Sequence, residues 1–229
     1  MISTYDPAKH YERIGNQTQH FLDDTVLEWV KNITRTHHQA TKHDGNPLLR
    51  RDQPWEVNPH FNTTVSMIQE PDGSFRCWYL DFTFMAFEGG GAEGQAMPKI
   101  TYAESSDGLN WEKPGLGAVT VDGQDTNRMA WDDTFGTPVA LCVMRDDHDT
   151  DPGRRYKMAF LPEKYNVNRP KKTTISHSHS LGLCMAYSPD GLNWALEERN
   201  PVSTIWGSDV LTLLWDEEIE KYVIYGRAP

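Results

Sequence analysis

From residue 60 onward, apolar and polar positions alternate with a period of two, the signature of half-buried strands. The alternation falls into three hairpins that can be laid over one another. The first runs 64–68, turns at Pro71-Asp72-Gly73 and returns as 75–79. The second runs 137–143, passes an acidic loop and returns as 156–160, and the third runs 209–215, turns at Asp216-Glu217-Glu218 and returns as 222–225. After each of the first two, a further apolar run enters a repeated turn. Ala103-Glu104-Ser105-Ser106-Asp107-Gly108-Leu109-Asn110-Trp111 recurs 83 residues later as Ala186-Tyr187-Ser188-Pro189-Asp190-Gly191-Leu192-Asn193-Trp194. The Asp-Gly pair tolerates the positive φ of a tight turn, and the Trp that follows supplies an aromatic plug.

Ahead of the hairpins the pattern is weaker. Residues 1–19 form a polar lead-in, with a short helix predicted over 7–14. The run 20–28 reads as a strand interrupted by Asp23 and Asp24. A loop-rich span follows, carrying His37, His38 and His43 and ending in Pro54-Trp55-Glu56, where Pro and Gly punctuation excludes a long helix.

Strand pairs repeated at one period cannot bury their apolar faces singly and must stack. Four antiparallel strands per unit describe a β-propeller blade, so the expectation is an all-β fold, a partial propeller over 20–229 with two full blades and half of a third. The excess length of each unit sits in two loops, 88–98 with its Gly89-Gly90-Gly91 and 162–179, which become candidate rims of a binding face. The Gly run opens no helix and lacks a following Lys-Ser/Thr, which argues against phosphate binding. An open half blade leaves unpaired backbone groups, and this predicts a homodimer through the propeller edge or poor solubility.

Composition narrows the function. A formal net charge of −11 without a long basic run argues against nucleic acid and anionic membranes and favours a neutral, polyhydroxylated or cationic ligand. Eight Trp, nine Tyr and eight Phe serve sheet packing first and sugar stacking second. Cys77, Cys142 and Cys184 each sit inside an apolar run with no Cys-x-x-Cys spacing, reading as small buried hydrophobes. The first residues show no apolar signal segment, so the default expectation is a cytoplasmic protein, and the three Asn-x-Thr matches at Asn16, Asn32 and Asn62 carry no weight.

No cofactor or metal is expected. Asp147-His148-Asp149-Thr150-Asp151-Pro152-Gly153 has the alternating acids of a calcium loop, but Pro152 stands at the Gly position and Met158 where a closing Glu belongs. The histidines of 37–43, with His177 and His179, define no ligand set, and a hydrogen bond from one of them to substrate is the better reading.

Taken together, Leu22-Asp23-Asp24, His38 with Lys42 and Asn46-Pro47, Pro54-Trp55-Glu56, Phe75-Arg76-Cys77-Trp78-Tyr79, the two Ser-x-Asp-Gly-Leu-Asn-Trp turns, and Ser208-Asp209 with Trp215-Asp216 and Lys221-Tyr222 resemble the N-terminal part of a group of bacterial proteins. That group is described as similar to glycoside hydrolase families 32 and 43, the five-bladed propellers. The resemblance covers most of 20–226. It implies a funnel lined by the innermost strands, where carboxylates act on a glycosidic bond. At the inner-strand position where such enzymes place their first Asp, this chain has Thr64, with Asn62 nearby.

Glycoside hydrolysis needs one carboxyl group to protonate the leaving oxygen and a second to activate water or attack carbon. Counting back from Val223 as from Trp78 makes Asp209 the equivalent of Thr64, so Asp209 is the leading catalytic candidate, followed by Asp24, Asp23 and Glu56. Each has a plain alternative: the Asp pair capping backbone amides, Glu56 as a loop acid, Asp209 opening a strand. His38, Trp55, Asn62 and Asp133 are candidates for binding a carbohydrate, although Asp132 and Asp133 also fit a solvated loop. Three functions compete: a glycoside hydrolase, a noncatalytic carbohydrate-binding or structural propeller, and a sialidase-like fold. The last needs an arginine cluster that Arg50-Arg51 and Arg154-Arg155 do not supply.

Overall fold

The computed structural model describes Gly15 and residues 30–61, 65–82, 98–163, 182–204 and 210–226. It divides into two compact units, 1–43 and 44–229. In the first, residues 30–43 form no strand or helix and are exposed, including Val30 and Ile33. The expected helix over 7–14 and strand over 20–28 lie outside the described residues, as does most of each long loop.

Among its described residues the second unit is all-β, and every strand pairing is antiparallel. Strands β1 (Pro59–His60) and β2 (Ser66–Gln69) pair in succession along one edge of β3 (Phe75–Asp81), and β4 (Lys99–Ser105) pairs along its other edge. A bridge between Glu104 and Glu112 adds the start of a fourth position outside β4. A small hairpin follows, β5 (Thr120–Val121) with β6 (Gln124–Asp125). The second sheet is a four-stranded meander of β7 (Thr137–Arg145), β8 (Tyr156–Glu163), β9 (Cys184–Ser188) and β10 (Ala195–Leu196) in the order β10-β9-β8-β7. The third is the hairpin β11 (Leu211–Asp216) with β12 (Lys221–Gly226). None of the sheets closes on itself among the described residues. Among the described residues, helix is limited to a 3₁₀ turn, Pro152–Arg154, capped by the Asp151 side chain.

The alternation of the sequence becomes two-sided burial. One face of the first sheet, with Trp78, Leu80, Ile100 and Tyr102, packs against Leu141, Val143, Met158 and Phe160 of the second. The opposite face of the second, with Ala140, Ala159 and Leu161, packs against Leu211 and Leu213 of the third. The far face of the first sheet buries Cys77, Tyr79 and Ala103 under Leu49, Phe61, Val65 and Trp111. Each large apolar side chain so enclosed contributes roughly 1.5–3 kcal/mol. The three cysteines stay free, and burial raises the thiols of Cys77 and Cys184 to about 12 and about 11.

The repeat is reproduced atom by atom in the turns. In the first, Ser105 Oγ accepts from the Gly108 amide at 2.9 Å, Asp107 Oδ1 accepts from the amides of Leu109 and Asn110 at 2.8 and 2.7 Å, and Trp111 Nε1 donates to the Gly108 carbonyl at 3.1 Å. In the second, Ser188, Asp190 and Trp194 make the same bonds to Gly191, Leu192 and Asn193 at 2.8, 2.8, 2.8 and 3.1 Å. Gly108 and Gly191 have φ of 76° and 75°, a region where a Cβ is strained.

It also extends to the contacts between sheets. Ladder register makes Ser66, Cys142 and Thr212 equivalent, because they face Trp78, Ala159 and Tyr225. Ser66 Oγ accepts from the Val143 amide of the second sheet at 2.9 Å, and Cys142 Sγ accepts from the Leu213 amide of the third at 3.3 Å. At the hairpin end, the Tyr156 hydroxyl of the second sheet donates to Glu70 Oε1 of the first at 2.7 Å, over Arg76. One step on, the Tyr222 hydroxyl of the third sheet donates to Asp146 Oδ2 of the second, over Lys157. Acid, cation and incoming tyrosine therefore recur at both junctions.

Candidate functional site

Antiparallel order separates two ends of the sheets. The β2–β3, β7–β8 and β11–β12 hairpins and both Asp-Gly turns lie at one end. The starts of the first strands lie at the other, together with the anchoring residues of both long loops, Phe82 and Pro98 for one and Glu163 and Gly182 for the other. The loops expected to rim a binding face thus spring from the strand-start end.

Two buried carboxylates organise the described part of that end. Asp81 closes β3 and is fully enclosed; its oxygens accept from the amides of Val57 and Asn58 and face the Arg128 guanidinium at 3.3 Å. Arg128 also donates to the Trp55 carbonyl, while its Nε is buried and makes no hydrogen bond among the described residues. The His60 ring packs tilted against Phe82 with ring centroids 4.3 Å apart, and burial lowers its pKa against the pull of Asp81. Its Nε2 lies 3.2 Å from Asn58 Nδ2.

Glu56 is the second. It too is fully enclosed: Oε1 accepts from the Tyr79 hydroxyl at 2.6 Å, both oxygens lie 2.8 Å from Lys113 Nζ, and Oε2 accepts from the amides of Asp52 and Gln53. Burial, then the hydrogen bond to Glu56, push the Tyr79 phenol far above its ordinary pKa. Tyr79 in turn accepts from Asn127 Nδ2, and Asn127 Oδ1 accepts from Trp55 Nε1 at 2.8 Å. An acid with every lone-pair direction occupied and no solvent exposure holds the 50–57 segment against the first sheet; it has no open direction toward a substrate oxygen.

Trp55 is half-buried with its indole N–H engaged. Asp133 is exposed on a turn, its carbonyl accepting from Gly136, and beside it Asp132 is held below the usual carboxylate range by the Thr134 hydroxyl and amide. His38 is exposed in the first unit. Asp23, Asp24, Asn62, Thr64 and Asp209 lie outside the described residues. The count that matched Asp209 to Thr64 took Val223 as the counterpart of Trp78, whereas the ladders give that role to Tyr225 and make Thr212 the counterpart of Ser66, so the position two before each pairs Thr64 with Val210 in sequence and the match shifts by one residue.

The calcium-like loop is used otherwise. Asp149 binds Lys157 Nζ at 2.7 Å, Asp151 caps the 3₁₀ turn, and Asp147 pairs with Arg145, leaving no cluster of acids suited to a cation among the described residues. A cleft of about 730 Å³ opens at the hairpin end, between acids Glu70, Glu104 and Glu112 and the guanidinium groups of Arg76, Arg145 and Arg155.

Sequence reasoning missed Asp81, Arg128, Lys113 and Asn127. Asp81 carried a readable signal, an acid between Leu80 and Phe82 in an apolar run, the same signal that singled out Asp23 and Asp24. No protein-family model matches the chain, and no curated protein does.

Proposed function

We propose that the chain forms blades of a five-bladed-type β-propeller, similar to glycoside hydrolases, that acts on a carbohydrate at the strand-start end. The observation that carries this reading is the junction repeated from sheet to sheet, Glu70–Arg76–Tyr156 and then Asp146–Lys157–Tyr222. One transformation applied twice stacks like sheets around an axis, which is how a propeller is built. Inner strands then deliver acids from distant parts of the sequence to one funnel. Asp209 with Asp23 or Asp24 are the acids assigned to the reaction, one as proton donor and the other as base or nucleophile. Glu56 is assigned instead to holding the 50–57 segment.

Noncatalytic carbohydrate binding is the second reading, favoured by the saturation of both Glu56 and Asp81. The experiment that separates them is a screen of aryl glycosides and polysaccharides for turnover, run beside calorimetric binding. Turnover lost in Asp209→Asn with the circular dichroism unchanged supports the enzyme. Binding without turnover in the unmodified chain supports the second reading, and neither turnover nor binding rejects both.

A further inference from the structure

The outward face of the third sheet repeats the faces with which the first and second sheets hold their successors. Register makes Thr212 the counterpart of Ser66 and Cys142, each of which accepts a backbone N–H from the next sheet. Thr212 is exposed. Asp216 is likewise the counterpart of Asp146. Its Oδ1 takes the amides of Glu218 and Ile219, two and three residues on, as Asp146 Oδ1 takes those of His148 and Asp149. Asp146 Oδ2 is then free to receive the tyrosine of the next sheet, and Asp216 Oδ2 has no such donor among the described residues. Between these acceptors lie Leu214 and Val223, half-buried, and Tyr225, 61% exposed at the position where the first two sheets bury Trp78 and Ala159 completely.

We infer that this face is a docking surface for another antiparallel sheet of the same repeat, whose first strand gives a backbone N–H to Thr212 Oγ1 and whose second strand opens with a tyrosine donating to Asp216 Oδ2. The inference rests on the twice-used junction, not on any action on carbohydrate. Continuity with that junction also selects the occupant. In a second copy of this chain, the matching receiving faces are already covered: that of the first sheet by Leu49, Phe61 and Val65, that of the second by the first sheet, and that of the third by the second. The occupant is therefore a sheet on another stretch of polypeptide with its receiving face open. The cation of this junction comes from a different place, since Val223 stands where Arg76 and Lys157 stand in the other two; Lys221, opposite Asp216 in the ladder, is the residue able to supply it.

The probe is the second sheet itself, residues 137–204, appended to the full chain through a Gly/Ser linker. Hydrogen exchange over 210–226 is expected to slow at least about tenfold relative to the unextended chain. Asp216→Asn with Thr212→Val, or phenylalanine at the appended copy of Tyr156, should cancel the slowing. Unchanged exchange beside a protected, folded extension overturns the inference. Should the extension not fold, the unextended chain still decides. With a free face, Leu214→Asp plus Tyr225→Asp lowers binding of a hydrophobic dye and leaves unfolding unaltered; an unfolded double variant shows that the chain covers this face itself and rejects the surface. Concentration-dependent dimers in sedimentation, abolished by that double variant, would transfer the occupant's role to a second copy and reject the assignment made here.

Discussion

Tyr156 and Glu70 belong to different sheets, and the hydrogen bond of 2.7 Å from the phenol to Oε1 joins those sheets at their hairpin ends. Tyr156→Phe removes that bond while keeping the ring against Arg76, and it is expected to cost about 1 kcal/mol. Tyr222→Phe at the next junction should cost a similar amount. Lys157→Met should cost more, about 3 kcal/mol, because it leaves the enclosed Asp146 without its cation, whereas Asp149 keeps Arg154. Urea unfolding of the three variants checks the order; equal effects would mean that the junctions do not work as acid, cation and tyrosine sets.

Two glycines separate backbone strain from steric conflict. Gly191 has φ of 75°, and a Cβ there would meet Trp78 Cζ2 at 2.9 Å and Arg76 at 3.1 Å. Gly73 has φ of 90° with nothing within 4 Å. Gly73→Ala should therefore cost about 1–2 kcal/mol from strain alone, and Gly191→Ala clearly more, with loss of the bond from Trp78 Nε1 to the Gly191 carbonyl. Thermal unfolding of the pair reads the difference.

The elements were legible because alternation and turn chemistry agree. Pro71-Asp72-Gly73 and the two Asp-Gly-Leu-Asn-Trp segments each hold their turn through a local Asp or Ser side chain, so their structure is written within a few residues. The polar partnerships were not legible. Glu56 meets Lys113 and Tyr79, and Trp55 meets Asn127, across separations of 23 to 72 residues that no local pattern encodes. For the same reason a Pro-bounded acid such as Glu56 reads alike in sequence whether it faces a funnel or a lysine.

Acid should loosen the second repeated turn in a defined window. Burial pushes the Asp190 carboxyl up, but the amides of Asn193 and Leu192 and the Asn193 side chain outweigh it and hold the pKa at about 2, against an ordinary 3.8. A depressed carboxyl stabilises the fold above its ordinary pKa and loses that contribution as pH falls toward 2. Asp190→Ala is expected to cost about 1–2 kcal/mol near pH 6 and progressively less between pH 4 and 2, read by urea unfolding of both chains at each pH. A difference that stays constant across that window would contradict the charged-turn account.

Glu56→Gln tests the reassignment of that acid. It weakens the hold on Lys113 and should destabilise the chain by about 3 kcal/mol, while turnover per folded molecule, if measured on a cleaved glycoside, stays near that of the unmodified chain. Turnover falling by a factor of about 100 or more with stability intact would return Glu56 to the catalytic set.

The account's central claim is that carbohydrate is engaged at the strand-start end. Hydrogen exchange with and without a saturating oligosaccharide ligand from the screen tests it most directly. Slowed exchange over 57–61 and 128–137 is the predicted result. Slowed exchange confined to 71–76 and 104–112, the cleft at the hairpin end, would contradict it.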